Sequence, residues 1–255
     1  MTDRRFRFGV HTSDAADGAT WASHARRIEG LGFSILLLRD HFDQQLAPIV
    51  AMTAAACATK KLRVGCLVLD NDYRHPLVLA KELATLDHLS GGRVEIGLGA
   101  GWMGSDYEEA GMPFDTPGVR VSRLEEAVHV IKALFDGKPA DFKGDHYTIS
   151  GHTQYPPPAQ SPRPPIQIAG GGPRLLKFAS QEADIIGINP VTKSNAAWAE
   201  QNIADASADA TDRKIGWIRE AAGDRYDEIE LQIVVPFVVL TDDREGTAAA
   251  ISAAL

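Results

Sequence analysis

The stretch PIQIAGGGPRLLKFASQEADIIGIN, residues 165–189, contains an apolar run, three glycines, a proline, a short helical pattern and a second apolar run. Continuous runs such as IQIAG and DIIGIN are typical of parallel strands that are covered on both faces. The proline fits the first turn of a helix, where its missing N–H group is not needed. The stretch therefore predicts a strand, a tight turn, a helix and a second parallel strand.

The same alternation of apolar run and helical pattern recurs on both sides of this stretch. The other apolar runs are residues 7–11, 35–41, 62–72, 94–102 and 231–240. Helical patterns separate the first four, and alternating strands and helices predict an α/β fold with a parallel sheet. We therefore predict a TIM-type (β/α)8 barrel with seven recognisable strands, from which the eighth strand is absent.

Residues 102–164 break this rhythm. They contain an amphipathic helical pattern at 121–137, a hairpin pattern at 140–150 and a proline-rich segment at 155–165. Proline blocks both helix and sheet pairing, so the last segment is expected to be extended. We predict a single domain over residues 1–255, with 102–164 as an insertion after the fourth strand that covers the mouth of the barrel.

Composition and charge exclude several classes of partner. The formal net charge is −8 and the basic residues are scattered, which argues against nucleic-acid binding. No run of 18 apolar residues and no signal sequence is present, so we expect a cytoplasmic protein without a membrane span. No cysteine, histidine or carboxylate spacing indicates a metal. A small-molecule substrate is the expected partner, and a homodimer is left open.

Polar residues and glycines follow the predicted strands at their carboxyl ends. In α/β barrels the active site lies at this end of the strands. These positions are His11, Asp40, His41, Asp70, Gly101, Trp102, the turn at 170–172, and Asn189. We expect them to form a ring around the mouth. Arg93 precedes a strand instead, and His75 precedes a helix, so both are interpreted as structural.

The glycine turn partly matches a dinucleotide-binding motif. Gly170 and Gly172 satisfy the first two glycines of G-x-G-x-x-G, but Leu175 stands at the third. The following helix is also shorter than a usual Rossmann crossover. The pattern instead favours a tight turn that exposes a helix N-terminus, whose free N–H groups bind phosphate. A strand-to-helix turn without a ligand fits the same pattern.

Several segments together resemble one protein family. Residues 74–102, 113–137, the hairpin at 142–147 and 165–188 resemble the luciferase-like monooxygenase superfamily, and more narrowly its deazaflavin-dependent branch. The resemblance covers nearly the whole chain in order. It implies a barrel with an insertion after strand four, and a flavin or the 5-deazaflavin coenzyme F420 bound at the carboxyl ends of the strands.

The resemblance also implies roles for residues after the second and third strands. Asp40 would contact the cofactor, and His41 would transfer a proton near the carbon that accepts hydride. Imidazole suits this role because it titrates near neutral pH. Leu67 and Val68 lie where relatives carry a non-proline cis peptide against the cofactor ring, and Asp70 lies beside them.

The remaining cofactor positions follow the fourth and fifth strands. Gly171, Gly172, Arg174 and Leu175 match the phosphate cradle, where Arg174 would add a charge-assisted contact. Gly101 and Trp102 are placed beside the cofactor. Contacts to the substrate are assigned to His11 and Asn189.

Two positions depart from the sugar-phosphate dehydrogenases of this branch. Trp102 stands where they carry a glutamate that is a proposed acid toward the cofactor, and Gln45 stands where they carry a tryptophan. The acid role is therefore unfilled, and we assign no phosphosugar substrate.

Three hypotheses for function follow. The first is an oxidoreductase that transfers hydride between F420 and a small organic substrate. The second is an FMN-dependent two-component monooxygenase, because FMN shares the ring shape and the phosphate. The third is a barrel that binds a cofactor or ligand without catalysis, which the absent strand favours and the Asp40-His41 pair opposes.

Overall fold

A computed structural model of the chain describes residues 6–191, 205–235 and 238–254. The strands are β1 (Gly9–His11), β2 (Ile35–Leu38), β3 (Arg63–Cys66), β4 (Leu69–Asp70), β5 (Val94–Gly99), β6 (Ala140–Lys143), β7 (Thr148–His152), β8 (Ile166–Gly170), β9 (Ile185–Ile188) and β10 (Glu230–Gln232). β6 and β7 form the predicted antiparallel hairpin. All the other strands belong to one parallel sheet.

Helices follow most of the strands, and those at 104–110 and 208–222 were not predicted from the sequence. They are α1 (Gly18–Gly30), α2 (Pro48–Ala58), α3 (Pro76–Ser90), α4 (Gly104–Ala110), α5 (Pro117–Phe135), α6 (Pro173–Glu182), α7 (Ala208–Ala222) and α8 (Arg244–Ala254). A proline occupies the first turn of α2, α3, α5 and α6, where its fixed backbone angle favours helix initiation. None of the helices in the described parts of the chain is long and apolar enough to cross a membrane.

The parallel sheet has the strand order β1-β2-β3-β5-β8-β9-β10, and β4 pairs with the end of β5. Outside it, α1, α2, α3, α5, α6 and α7 pack side by side in chain order. This arrangement confirms the predicted α/β fold with seven successive strands. β1 and β10 do not pair with each other within the described ranges, so the sheet is an open half-barrel.

An ion-pair cluster shows how far the sheet curls. The Arg7 guanidinium, just before β1, lies 2.7 Å from Glu95 Oε1 in β5 and 2.7 Å from Glu230 Oε1 in β10. Arg63 in β3 binds the same Glu95 carboxylate at 2.5 Å. Because these residues lie on four strands or their ends, the amino-terminal edge of the sheet closes around Glu95.

The core lies between the sheet and the outer helices. Strand side chains such as Leu36, Ile96 and Ile168 are fully buried against helix side chains such as Leu83 and Leu124. Burying each of these side chains contributes about 1.5–3 kcal/mol of hydrophobic free energy. This continuous burial explains why the strands are apolar along their whole length.

Two glycines of β5 allow the segment at the end of β3 to pack closely against it. A Cβ atom at Gly97 would collide with the carbonyl oxygen of Cys66, and one at Gly99 would collide with the side chain of Val68. The single predicted run at 62–72 is therefore divided into β3 and β4, and the segment between them packs directly on β5.

The prediction of a strand over 231–240 is wrong for most of that run. β10 ends at Gln232, and residues 233–235 and 238–240 lie in no strand, while 236 and 237 lie outside the described residues. β10 pairs with β9 on one side and has no partner on the other within the described ranges. An apolar run without a second strand beside it gains neither the hydrogen bonds nor the burial of a central strand.

That residues 102–164 cover the mouth stays a prediction, and α5 within them also packs in the outer layer. This helix packs between α3 and α6 in the outer layer, and it is therefore the crossover from β5 to β8. The hairpin does reach the mouth, because the Tyr147 hydroxyl accepts a hydrogen bond from Asn71 at 3.2 Å. Farther on, Gln160 binds Arg63 and Asp87 at the opposite edge.

Both residues interpreted as structural have that role. The Arg93 guanidinium donates to the carbonyl oxygens of Ser90, Leu62 and Ala56, which ties α3 and α2 to the start of β5. The His75 side chain accepts a hydrogen bond from the N–H of Leu77 and caps α3.

Candidate active site

The predicted site residues lie at one edge of the sheet. His11 ends β1, His41 follows β2, Asp70 ends β4, and Asn189 follows β9. The glycine turn begins at the end of β8. All these strands are parallel, so their carboxyl ends share an edge, and the curl of the sheet turns that edge into a mouth.

His41 is held by residues that the sequence did not indicate. Its Nδ1 atom lies 2.7 Å from Oδ2 of Asp106 in α4, and the Tyr73 hydroxyl donates to the same oxygen at 2.9 Å. The Asp106 side chain is 4% exposed and that of His41 is 16% exposed. Trp102 packs edge-on against the imidazole with ring centroids 5.6 Å apart. A histidine bound to a carboxylate at a barrel mouth is equipped for proton transfer.

Asp40 is fully engaged within the protein. Its carboxylate accepts two hydrogen bonds from Arg74, at 2.6 and 3.1 Å, and one from the N–H of Asp70 at 3.0 Å. Asp40 thereby ties the segment after β2 to the end of β4. Its predicted contact with a cofactor stays a prediction.

Asp70 lies in a buried acidic cluster. The Tyr107 hydroxyl contacts both of its carboxylate oxygens at 3.1 Å, and the N–H of Asp72 donates to Oδ1 at 2.9 Å. Burial, together with the charges of Asp72 and Asp40, raises the pKa of Asp70 to about 7. The carboxyl group therefore exchanges its proton near neutral pH.

Gly101 is required by this cluster. Its φ angle is +73°, a conformation that side-chain-bearing residues rarely adopt. A Cβ atom there would also collide with the Tyr107 hydroxyl and lie 2.5 Å from Asp70 Oδ2. The glycine after β5 thus lets α4 place Tyr107 against Asp70.

A cavity of about 360 Å³ adjoins the cluster, lined in part by Asp72, Arg74, Arg123 and Tyr147. Asp72 Oδ2 is paired with Arg123 at 2.8 Å. Asp72 Oδ1 is buried without a hydrogen-bond partner within the described structure. The cavity therefore combines two guanidinium groups with an unsatisfied carboxylate oxygen.

The glycine turn has room for a ligand at one position. A Cβ atom at Gly171 would collide with the carbonyl oxygen of Asn189, so this glycine packs against the end of β9. At Gly172, the N-cap of α6, a Cβ atom would meet nothing within 4 Å. No side chain of the described residues caps α6, so its first N–H groups can bind an anion. Leu175 packs against Gly170 and supports the turn.

Arg174 points to the insertion and not across the turn. Its guanidinium binds the Glu125 carboxylate of α5 at 2.7 Å and the carbonyl oxygen of Gly118 at 3.1 Å. The hydrogen bond to Glu125 raises the pKa of Arg174. A phosphate contact from Arg174 stays a prediction, since Glu125 competes for the same charge.

The other predicted positions lie near the same mouth. The peptide bond between Leu67 and Val68 is cis, which confirms that part of the prediction. Burial lowers the pKa of His11, and the charges of Arg39 and His41 lower it further. The cofactor contacts of Leu67 and Val68 and the substrate contact of His11 stay predictions.

Asn189 is fixed through its backbone. Its N–H donates to the carbonyl oxygen of Gly170 at 3.0 Å, and its own carbonyl accepts from the buried Lys214 ammonium at 2.9 Å. The side-chain amide of Gln45 is buried with neither its oxygen nor its nitrogen hydrogen-bonded within the described chain. No group of three potential metal ligands occurs among the residues that the structure describes.

Two relatives with assigned activities match part of the chain. The F420-dependent glucose-6-phosphate dehydrogenase of Amycolatopsis mediterranei is 32% identical over 169 residues, covering 63% of this chain and 50% of that protein. The FMNH(2)-dependent dimethylsulfone monooxygenase of Pseudomonas putida is 30% identical over 166 residues, covering 63% and 46%. The chain thus spans about half the length of these curated relatives.

Solved structures support the same fold. The coenzyme F420-dependent tetrahydromethanopterin reductase of Methanopyrus kandleri superposes with a TM-score of 0.75 at 24% identity, covering 90% of this chain and 65% of that one.

The family model for luciferase-like monooxygenases matches residues 5–254, nearly the entire sequence. The chain therefore belongs to the luciferase-like monooxygenase family.

Proposed function

We propose that this protein is an oxidoreductase that transfers a hydride between coenzyme F420 and a small organic substrate. The observation that carries the proposal is the pairing of His41 with Asp106, 2.7 Å apart, at the edge that also carries the open Gly172 turn. One feature suits proton transfer and the other suits an anionic cofactor tail. The name of the Amycolatopsis relative supports the choice of F420.

The residues present fit such a cofactor at its phosphate end. Gly172 leaves open space, and the uncapped first turn of α6 offers N–H groups to a phosphate. Val68 and Trp102 would flank the ring, as the family resemblance implies. When bound, a deazaflavin supplies a ring carbon that accepts or donates a hydride.

The protein's own part is proton transfer. When a substrate alcohol is oxidised, its C–H bond yields a hydride, its O–H bond yields a proton, and a carbonyl group forms. His41 would accept that proton and would return it in the reverse reaction. The packing of Trp102 on the imidazole limits the access of water to this group.

The main alternative is an FMN-dependent monooxygenase, which the Pseudomonas relative favours by its name. FMN also carries a phosphate that a helix N-terminus binds, so the phosphate end does not separate the two cofactors. The buried hydrogen bonds around His41 favour catalysis over a barrel that only binds a ligand.

Equilibrium titration of the purified protein with F420 and with FMN, followed by fluorescence, tests the proposal. Gly172→Asp places bulk and negative charge at the proposed phosphate position. Gly30→Asp is the matched control, because Gly30 ends α1 at the opposite edge and also has nothing within 4 Å of a Cβ atom.

F420 binding that is lost in Gly172→Asp and retained in Gly30→Asp would support the proposal. Micromolar FMN binding without measurable F420 affinity would move the protein to the monooxygenase class. F420 binding that is unchanged in Gly172→Asp would show that the turn is not the phosphate site.

A further inference from the structure

We propose that Asp106 and Tyr73 are positioning residues that hold the neutral His41 imidazole in its Nδ1–H tautomer. Nε2 is then the only atom of His41 that can accept a proton from a substrate. The use of this proton acceptor rests on the proposed function, but the tautomer is a property of the protein alone.

The argument begins with the hydrogen-bonding capacity of Asp106. Its Oδ2 atom accepts from the Tyr73 hydroxyl at 2.9 Å and lies 2.7 Å from His41 Nδ1. An ionised carboxylate has no proton to donate. The proton between Asp106 and His41 therefore belongs to Nδ1, and the lone pair of the neutral ring is at Nε2.

Tyr73 supports this assignment. Burial raises the pKa of Tyr73, and the carboxylates of Asp70 and Asp106 raise it further. The phenol therefore keeps its proton and donates it to Asp106. Phe42 stacks on the Tyr73 ring with centroids 4.7 Å apart, which holds the hydroxyl in place.

The setting strengthens both hydrogen bonds. Asp106 is almost completely buried, and a hydrogen bond to a carboxylate is stronger where water does not compete. Trp102 packs edge-on against the imidazole and restricts its rotation. Neither His11 nor Arg39 is hydrogen-bonded to the His41 ring in the described structure.

Asp106 and Tyr73 reach His41 from different segments of the mouth. Asp106 belongs to α4, the first helix after β5, and Tyr73 belongs to the short 3₁₀ segment after β4. His41 follows β2. The proton-accepting atom is thus defined only when three loops of the mouth are packed together.

Nitrogen-15 NMR of histidine-labelled protein reads the tautomer directly, at the high-pH end of a pH series, where the His41 signals no longer change with pH. The wild type is expected to show a protonated Nδ1 and an unprotonated Nε2 for His41. In Asp106→Leu, no oxygen remains at the position of Oδ2 to accept a hydrogen bond from Nδ1 or from the Tyr73 hydroxyl. His41 is then expected to switch to the Nε2–H tautomer.

Two further variants make the test specific. Tyr73→Phe removes the second hydrogen bond but leaves the carboxylate, so His41 should stay in the Nδ1–H tautomer. Glu108→Gln is the matched control, because Glu108 is an exposed carboxylate on the same helix. Its spectrum should equal that of the wild type.

A wild-type spectrum with His41 in the Nε2–H form would overturn the proposal, even if Asp106→Leu does not fold. An unchanged tautomer in a folded Asp106→Leu protein would overturn it as well. Neither measurement needs a cofactor. Failure to bind F420 would therefore count against the proposed function and leave the tautomer result intact.

Discussion

The mouth around β2, β4 and β5 and the edge strand β10 are opposite in character. At the mouth, buried carboxylates such as Asp40 and Asp106 are paired with guanidinium, phenol and imidazole groups. Beyond β10, a run of valines and leucine is exposed, with Leu240 at 96%. Most buried carboxylates at the mouth have partners on neighbouring strands and loops, with Asp72 Oδ1 as an exception, whereas the apolar side chains beyond β10 are exposed where the sheet ends. The hydropathy of a side chain favours burial or exposure, but the segments packed beside it determine how far it is buried.

The largest expected effect is on turnover, which a substitution at the mouth should lower and a substitution beyond β10 should not. His41→Ala should lower turnover with F420 by about 10²- to 10⁴-fold and leave F420 affinity nearly unchanged, because the imidazole transfers a proton and does not anchor the cofactor. Val238→Ala, at an exposed position beyond β10, should leave turnover unchanged. Weakened F420 affinity with normal turnover at saturating F420 in His41→Ala would assign this residue to the cofactor wall.

The next comparison uses the same substitution at both regions. Leu98→Ala, at a fully buried position in β5, should lower the free energy of unfolding by about 2–5 kcal/mol. Leu240→Ala should change it by about 0.5 kcal/mol or less, since this side chain touches little. Urea unfolding measures both. A large loss for Leu240→Ala would mean that a partner covers the exposed run in solution.

Asp70 makes the stability of the mouth dependent on pH. Its folded-state pKa of about 7 lies above the usual value near 4, so the folded protein holds a proton that the unfolded chain releases between these limits. Stability from this group is present at low pH and is lost as pH rises through 7. Between pH 5 and 8 the wild type should lose about 2 kcal/mol relative to Asp70→Asn. A constant difference in urea unfolding would contradict the raised pKa.

The smallest effect concerns the two carboxylates that share Arg7. Glu95→Gln removes a buried partner of both Arg7 and Arg63 and should cost about 1–2 kcal/mol of unfolding free energy. Glu230→Gln removes a half-exposed partner in β10 and should cost about 0.5 kcal/mol or less. Thermal unfolding of the two variants compares them. Equal losses would show that β10 is held as firmly as β5.

The sequence was most informative where one residue type meets one local requirement. The proline after Gly172 predicted a helix start, and α6 begins there. The run before Gly170 predicted a parallel strand, and β8 lies there. Such features depend on backbone geometry and on continuous burial, both of which neighbouring residues specify.

The partners of the site residues were not predictable in this way. Asp106 and Tyr73 are 33 residues apart and reach His41 from different loops. Arg174 was expected at the phosphate, but it binds Glu125, which lies 49 residues earlier. Carboxylates and arginines are common on any surface, so their residue types alone do not identify their contacts.

The sequence by itself determined the alternation of strands and helices, the glycine turn and the location of polar groups at the carboxyl ends of the strands. These follow from propensity and periodicity, which are local. Only the tertiary structure decided that α5 is a crossover helix, that the run after Gln232 is uncovered and that Asp106 holds His41. Those outcomes depend on which distant segments meet, because burial and hydrogen bonding are satisfied by neighbours in space.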